Sequence, residues 1–312
     1  MGNRHDQGIR SFHEDFADSV DDFVVVGGVA AHEIMGSAGL EFRATKDIDL
    51  VIIARPAVAF CGKLVTYIEA GRYEVRQSKE GKPGYYRFMK PKEVGYPVQI
   101  EIFSRRPEDL VLHENQHIVP ITETPAGADL SAILLEDEYY ELIKSTLQII
   151  KGLPIAGTEA VMALKSRAFN DLKDRKAAGD SSVSSDEIKK HRNDILRLSQ
   201  ALPQHATMSL AGLPEIHMRK FLEEIETTDN VEVKQLFKQF GIADDRSVLE
   251  SSPALAGDHL PRGHTSRRTA LKITAGGPIK IAAHKSNAAG LCRKIGKLLY
   301  LLNDAAKTSN ID

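Results

Sequence analysis

Residues 23–53, FVVVGGVAAHEIMGSAGLEFRATKDIDLVII, constrain the fold more than any other stretch. Phe23, Val24, Val25 and Val26 run straight into Gly27-Gly28, and a helix-compatible segment follows. A basic loop carrying Arg43 and Lys46 then leads to Asp47-Ile48-Asp49-Leu50 and a β-branched run. The order predicted is strand, glycine turn, helix N-terminus, loop, second strand. Such a turn presents bare backbone N–H groups to whatever sits at the helix start, a common way to hold a phosphate. It also serves as a tight strand-to-helix turn with no ligand at all. Strand side chains alternate, so Asp47 and Asp49 share one face while Ile48 and Leu50 take the other. Two carboxylates side by side repel unless a cation lies between them. Mg²⁺ held for phosphoryl or nucleotidyl transfer is their usual use.

A third acid follows. Residues 97–103, PVQIEIF, alternate as a strand and set Glu101 in line with Gln99 and Phe103. Glu101 suits a third ligand or a base, and equally an ordinary acid on the solvent face of an edge strand. Arg43 and Lys46 could neutralise a triphosphate or simply be solvated. Thr45 could bond the loop backbone instead of a substrate. Further on, Lys165 stands four residues after Val161 and four before Phe169. That spacing sets a cation at the edge of a buried helical stripe, from which lysine can snorkel to water. His113 and His117 have the i, i+4 spacing of metal ligands, but no third ligand is evident and the stretch reads as a loop. The chain has no P-loop, no G-x-S-x-G and no G-x-G-x-x-G, so kinase, hydrolase and Rossmann chemistries lack their motifs.

With 312 residues, 42% of them hydrophobic, there is enough chain for one large domain or two ordinary ones. The early elements predict a mixed sheet with two helices, complete by about residue 120. One short helix is expected around residues 11–20 and another over 56–70. Strands are expected at 73–77 and 85–89, joined by Glu-Gly-Lys-Pro-Gly. Residues 130–135 read as strand or buried helix start, 136–144 as helix, and 147–155 as an extended piece broken by Gly152 and Pro154. Helices then dominate, at 158–176, 186–202, 214–226 and 231–240. The second of these starts on Ser184-Ser-Asp-Glu187, which has capping-box spacing. The domains predicted are 1–125, 126–245 and a tail at 246–312, partly disordered, with a terminal helix at about 289–306. The tail is basic: from Ser252 onward ten Lys/Arg face three Asp/Glu, or +7, which leaves −9 for the rest of a chain of net charge −2. A basic arm can contact nucleic acid or merely be solvated.

Two cysteines, Cys61 and Cys292, argue for a reducing cytoplasm and against a disulfide framework or Cys-based zinc site. No apolar run approaches the roughly 20 residues of a membrane span, and MGNRHDQGIRSF lacks the apolar centre of a signal peptide. A soluble, cytoplasmic protein without membrane association is the expectation.

Gly27-Gly28, Asp47-x-Asp49 and then Glu101 on a later strand resemble, in that order, the nucleotidyltransferase fold of the polymerase β superfamily. The Arg43-x-Thr45-x-Asp47-Ile48-Asp49-Leu50 form looks like the AbiEii-type toxin branch of bacterial nucleotidyltransferases. Eighteen residues separate Gly28 from Asp47, longer than in many polymerase-like members, and Gly28 stands where those often have Ser. ALKSRAFNDLKDRK (163–176) and IKKHRNDILRL (188–198) look like the C-terminal motifs of the same branch. There a helical lysine and a later aspartate face the nucleotide, which by position implies Lys165 and Asp194. Asp171 and Asp174 compete for the second role, and Asp194 also has Lys190 available as an i−4 surface partner.

The resemblance implies an α/β (α+β) nucleotidyltransferase domain followed by a helical domain closing over the nucleotide. The implied catalytic residues are Asp47, Asp49, Glu101, Lys165 and Asp194. Asp47, Asp49 and Glu101 would hold one or two Mg²⁺ ions. Gly27, Gly28, Arg43, Thr45 and Lys46 would face the NTP. An NMP would pass to RNA, such as the 3′ end of tRNA, or to a protein, in a toxin silenced by a separate antitoxin. Alternatives are an enzyme that modifies an antibiotic, and an inert nucleotide-binding module.

Overall fold

The computed structural model describes residues 4–53, 58–77, 83–105, 118–122, 130–202 and 208–227, with residues 235 and 238. His113, His117, Cys292, the 78–82 connection and the tail at 246–312 lie outside these, as does most of the helix expected at 231–240. The chain divides into two compact units, Met1–Lys165 and Ser166–Asp312.

The first unit opens with α1 (Arg4–Asp15), which ends before the region expected to be helical up to residue 20. The chain turns there, with Ser19 N–H donating to the Phe16 carbonyl and Asp22 N–H to that of Ser19. Asp18, Asp21 and Asp22 explain the early stop, since carboxylates oppose the partial negative charge at a helix C-terminus. Phe12 of the helix and Phe16 just beyond its end are buried, their rings stacked 4.4 Å apart and meeting Phe23 edge-on. One turn before Phe12, on the same side of the helix, Gly8 lies against the backbone of Tyr96 and Pro97; a Cβ there would sit 2.8 Å from the Pro97 nitrogen.

Next come β1 (Phe23–Val26), α2 (Gly27–Ser37) and β2 (Asp47–Ile52), in the order expected. Every residue of β1 is buried, as befits a central strand covered on both faces. Then follow α3 (Val58–Ala70), β3 (Glu74–Gln77), β4 (Pro83–Met89), β5 (Gln99–Arg105), β6 (Ile118–Thr122) and β7 (Leu130–Leu135). The ambiguous 130–135 run is thus a strand. After α4 (Asp137–Ser145), the extended piece folds back as β8 (Gln148–Ile150) and β9 (Leu153–Ile155). The turn between them, Lys151-Gly152, has positive φ at both residues (51° and 83°), which matches the twist of a two-residue hairpin.

The described strands form one nine-stranded mixed sheet in the order β3-β4-β5-β2-β1-β9-β8, with β7 on β5 and β6 on β7. The sheet therefore continues past residue 120. β1 pairs antiparallel with β2, and β2 pairs parallel with β5. β4 covers β5 at Gln99–Glu101, and β7 covers it at Phe103–Arg105. The fold is α/β with a mixed sheet.

α5 (Thr158–Ala177) begins in the first unit and ends in the second, where α6 (Ser185–Leu198) and α7 (Leu213–Thr227) follow. α5 and α7 meet through the Phe169 and Phe221 rings, the Asn170 amide on the His217 carbonyl (2.8 Å), and the pairs Lys173–Glu224 and Lys220–Asp174. The expected capping box opens α6: Asp186 N–H donates to Ser184 Oγ at 3.1 Å, and Ser184 N–H to Glu187 Oε2 at 3.3 Å. Ser184→Ala should lower the stability of this unit by about 1 kcal/mol, read as a drop in urea midpoint, because a donor of the first turn loses its acceptor. Among the described residues no helix is long and apolar enough to cross a membrane.

Candidate functional site

The carboxylates gather where β1 ends and α2 begins. Along β2 exposure alternates as expected: Ile48 and Leu50 are buried, while Asp47 and Asp49 lie on the more open face. β5 alternates the same way, with Ile100 and Ile102 buried and Glu101 on the opposite face. The register sets Asp47 opposite Gln99 and Asp49 opposite Glu101. On its other side Asp49 faces Val26, the residue just before the glycine pair. One row across the sheet therefore reads Val26, Asp49, Glu101, and Asp47 lies two residues beyond the end of β1.

Gly27 has φ +68°, and a Cβ on it would fall within the Asp49 carboxylate, only 2.9 Å from its Cγ. Gly28 faces the loop instead: its Cβ would lie 2.5 Å from Thr45 Oγ1 and 3.8 Å from the Arg43 guanidinium. Of the residues expected to face a nucleotide, Gly27, Gly28, Arg43 and Thr45 are thus brought together around the start of α2. That helix has Val26 as its N-cap, with no side-chain hydrogen bond from it and no acid in its own first turn, and the Asp49 carboxylate from β2 lies against its first residue. Arg43 also stacks over the Phe42 ring at 5.5 Å. Lys46 has an exposed side chain, and its carbonyl accepts from Val98 N–H at 2.9 Å.

Arg87 is not among the residues that the sequence singled out. It faces Glu101 from β4, and its Nε donates to Glu101 Oε1 in a close ion pair. Alternation alone marks it, since Phe88 beside it is buried and Arg87 must take the carboxylate face.

Lys165, on α5, is only 4% exposed, and Asp194, on α6, only 1%. They are the two Lys, Arg, Asp or Glu side chains that count as buried among the described residues. Water does not supply their solvation, so charge at these depths depends on protein partners. Snorkelling does not describe Lys165. Asp194 is not a solvated surface carboxylate either, although Lys190 is exposed. Asp171 and Asp174 are both exposed, paired with Arg167 and Lys220.

Among the described residues no group of three or more His, Cys, Asp or Glu side chains is arranged to hold a metal ion. Two carboxylates suffice for Mg²⁺, which keeps several waters and is completed by substrate phosphates. Asp47 and Asp49 are such a pair of hard oxygen donors, open on one face and beside the bare Gly27 backbone. The donor chemistry fits this cation.

No family profile and no curated protein matches the chain. Among solved structures, the solution structure of the antibiotic-resistance factor ANT(2'')-Ia is a distant neighbour. It aligns at a TM-score of 0.33 and 14% identity, over 71% of this chain and 95% of that one.

Proposed function

We propose that this chain is a Mg²⁺-dependent nucleotidyltransferase that moves an NMP from an NTP to an RNA acceptor. The observation that carries the reading is the placement of Asp49 against Gly27, with Glu101 beside it in the sheet and Asp47 on the same face. An anion-accepting helix start and a pair of cation-binding carboxylates then serve one cleft, as transfer from a triphosphate requires.

In this mechanism Asp47 and Asp49 hold the cation, which when bound supplies neutralising charge at the triphosphate. The N–H groups at Gly27 and Gly28 orient the phosphates, with Arg43 and Thr45 on the loop side and Lys46 beyond them. The acceptor hydroxyl attacks the α-phosphorus, its proton leaves toward the carboxylate face, and the bond to pyrophosphate breaks. Lys165 and Asp194 are assigned to the nucleotide by the resemblance of their helices to the toxin branch. The same resemblance supports a biological role as a toxin restrained by an antitoxin.

The test supplies each α-phosphate-labelled NTP with Mg²⁺ to the purified chain, together with bulk tRNA, cell-extract protein or an aminoglycoside. Label on RNA is expected. Lys165→Ala should slow transfer by about 10²–10³, the usual loss when a group that stabilises developing charge is removed. Label on protein alone would redirect the reading to protein nucleotidylation, and label on the aminoglycoside alone to antibiotic modification. A chain that binds neither NTP nor Mg²⁺ by calorimetry would be an inert module.

A further inference from the structure

Arg87 changes what the carboxylate row can bind. Its strand, β4, runs antiparallel to β5, and directly opposed residues share a face. The row therefore reads Arg87, Glu101, Asp49, Val26 across four adjacent strands. Glu101 lies between a guanidinium it already bonds and the carboxylate pair it was expected to complete. The ion pair is largely covered, with side-chain exposures of 27% for Arg87 and 13% for Glu101. A pair so placed is screened less than a surface pair, and breaking it leaves a half-buried charge behind.

We infer that Arg87 is the counter-ion that withholds Glu101 from the metal, making Asp47 and Asp49 a site for one divalent cation. The inference rests on the nucleotidyltransferase reading. Three carboxylates and one guanidinium leave two negative charges, which one divalent cation balances. Arg87 is on this account a positioning residue: it fixes where Glu101 stands and limits how much positive charge the row accepts.

Mn²⁺ binding without nucleotide, followed by the electron paramagnetic resonance of the free ion, reads this directly. The full-length chain is expected to bind one Mn²⁺. The double variant Arg87→Gln/Glu101→Gln removes the ion pair without changing the net charge of the row, so it should change the affinity by less than about two-fold, because no ligand is lost. Arg87→Gln should bind Mn²⁺ about tenfold more tightly or take up a second ion, since Glu101 is released. Arg87→Lys should restore the original behaviour. Circular dichroism of each variant confirms that it is folded, and the double variant, which leaves no unpaired charge, tests the inference independently should Arg87→Gln not fold.

A tenfold or greater loss of affinity in the folded double variant would make Glu101 a ligand and overturn the inference, while leaving the proposed function standing. Unchanged binding in a folded Arg87→Gln would also overturn it. If the unaltered chain binds no Mn²⁺, with or without NTP, the proposed function itself fails and the inference with it.

Discussion

Asp49→Asn should abolish nucleotidyl transfer while shifting the thermal midpoint by no more than about 2–4 °C, the equivalent of about 1 kcal/mol at this size. Asp47→Asn should behave alike. Both side chains lie on the open face of β2, while Ile48 and Leu50, at 1% and 0% exposure, anchor the strand in the core. The substitutions keep shape and remove charge, so core packing is untouched. Taking away one of two neighbouring like charges also relieves repulsion when no cation is bound. Transfer suffers because an amide is a weak donor to a hard cation and cannot neutralise it. Labelled-NTP assays and differential scanning fluorimetry on the same preparations check both halves. The metal assignment fails if both variants unfold yet any soluble fraction keeps full activity.

Gly27→Val should be the most damaging single change at the turn, costing both stability and activity. Gly27 has φ +68°, where a β-branched residue is a steric outlier. Backbone strain of this kind costs about 1–3 kcal/mol. The added side chain also meets the Asp49 carboxylate, and overpacking costs typically about 1–3 kcal/mol more. Even in molecules that fold, Asp49 must move, so Mn²⁺ binding should be lost with activity. Gly36→Ala in the same helix is the control, because a Cβ there meets nothing within 4 Å. It should be neutral or stabilising by up to about 1 kcal/mol, as in other glycine replacements of this kind. Equal damage from both substitutions, measured by urea unfolding, would show general sensitivity of α2 and remove the special role of Gly27.

Much of this was readable from residues alone, for local reasons. Alternation around Asp47, Asp49 and Glu101 needs only the two-residue period of a strand, and the β2 and β5 exposure patterns follow it. The Gly27-Gly28 turn and the Ser184 capping box are likewise written in adjacent residues. Registers are different, because they join residues far apart in the chain. No property of residues 83–89 says that β4 lies beside β5, so the partner of Glu101 could not be read. The run LSAILL at 130–135 has no period that separates a buried strand from a buried helix, and pairing with β5 and β6 decides it. Lys165 was legible as lying at a stripe edge, but not as buried. Asp194 had a plausible surface partner in Lys190, and only its depth excludes a solvated surface role.

The contact at Gly8 gives the N-terminal helix a reach that its distance along the chain conceals. α1 lies on the Tyr96-Pro97 peptide, and the next residue, Val98, donates its N–H to the carbonyl of Lys46, immediately before Asp47. Two non-covalent links thus connect the first helix to the first carboxylate, and one further step along that segment enters β5 and Glu101. Deleting residues 4–15, or threading a bulky tag through them, would remove the Phe12 ring from Phe23 and Tyr67 and also free the segment that spaces the two carboxylate strands. An activity measured on such a shortened chain would report on a repositioned site, so the intact N-terminus is the proper reference for every substitution described above.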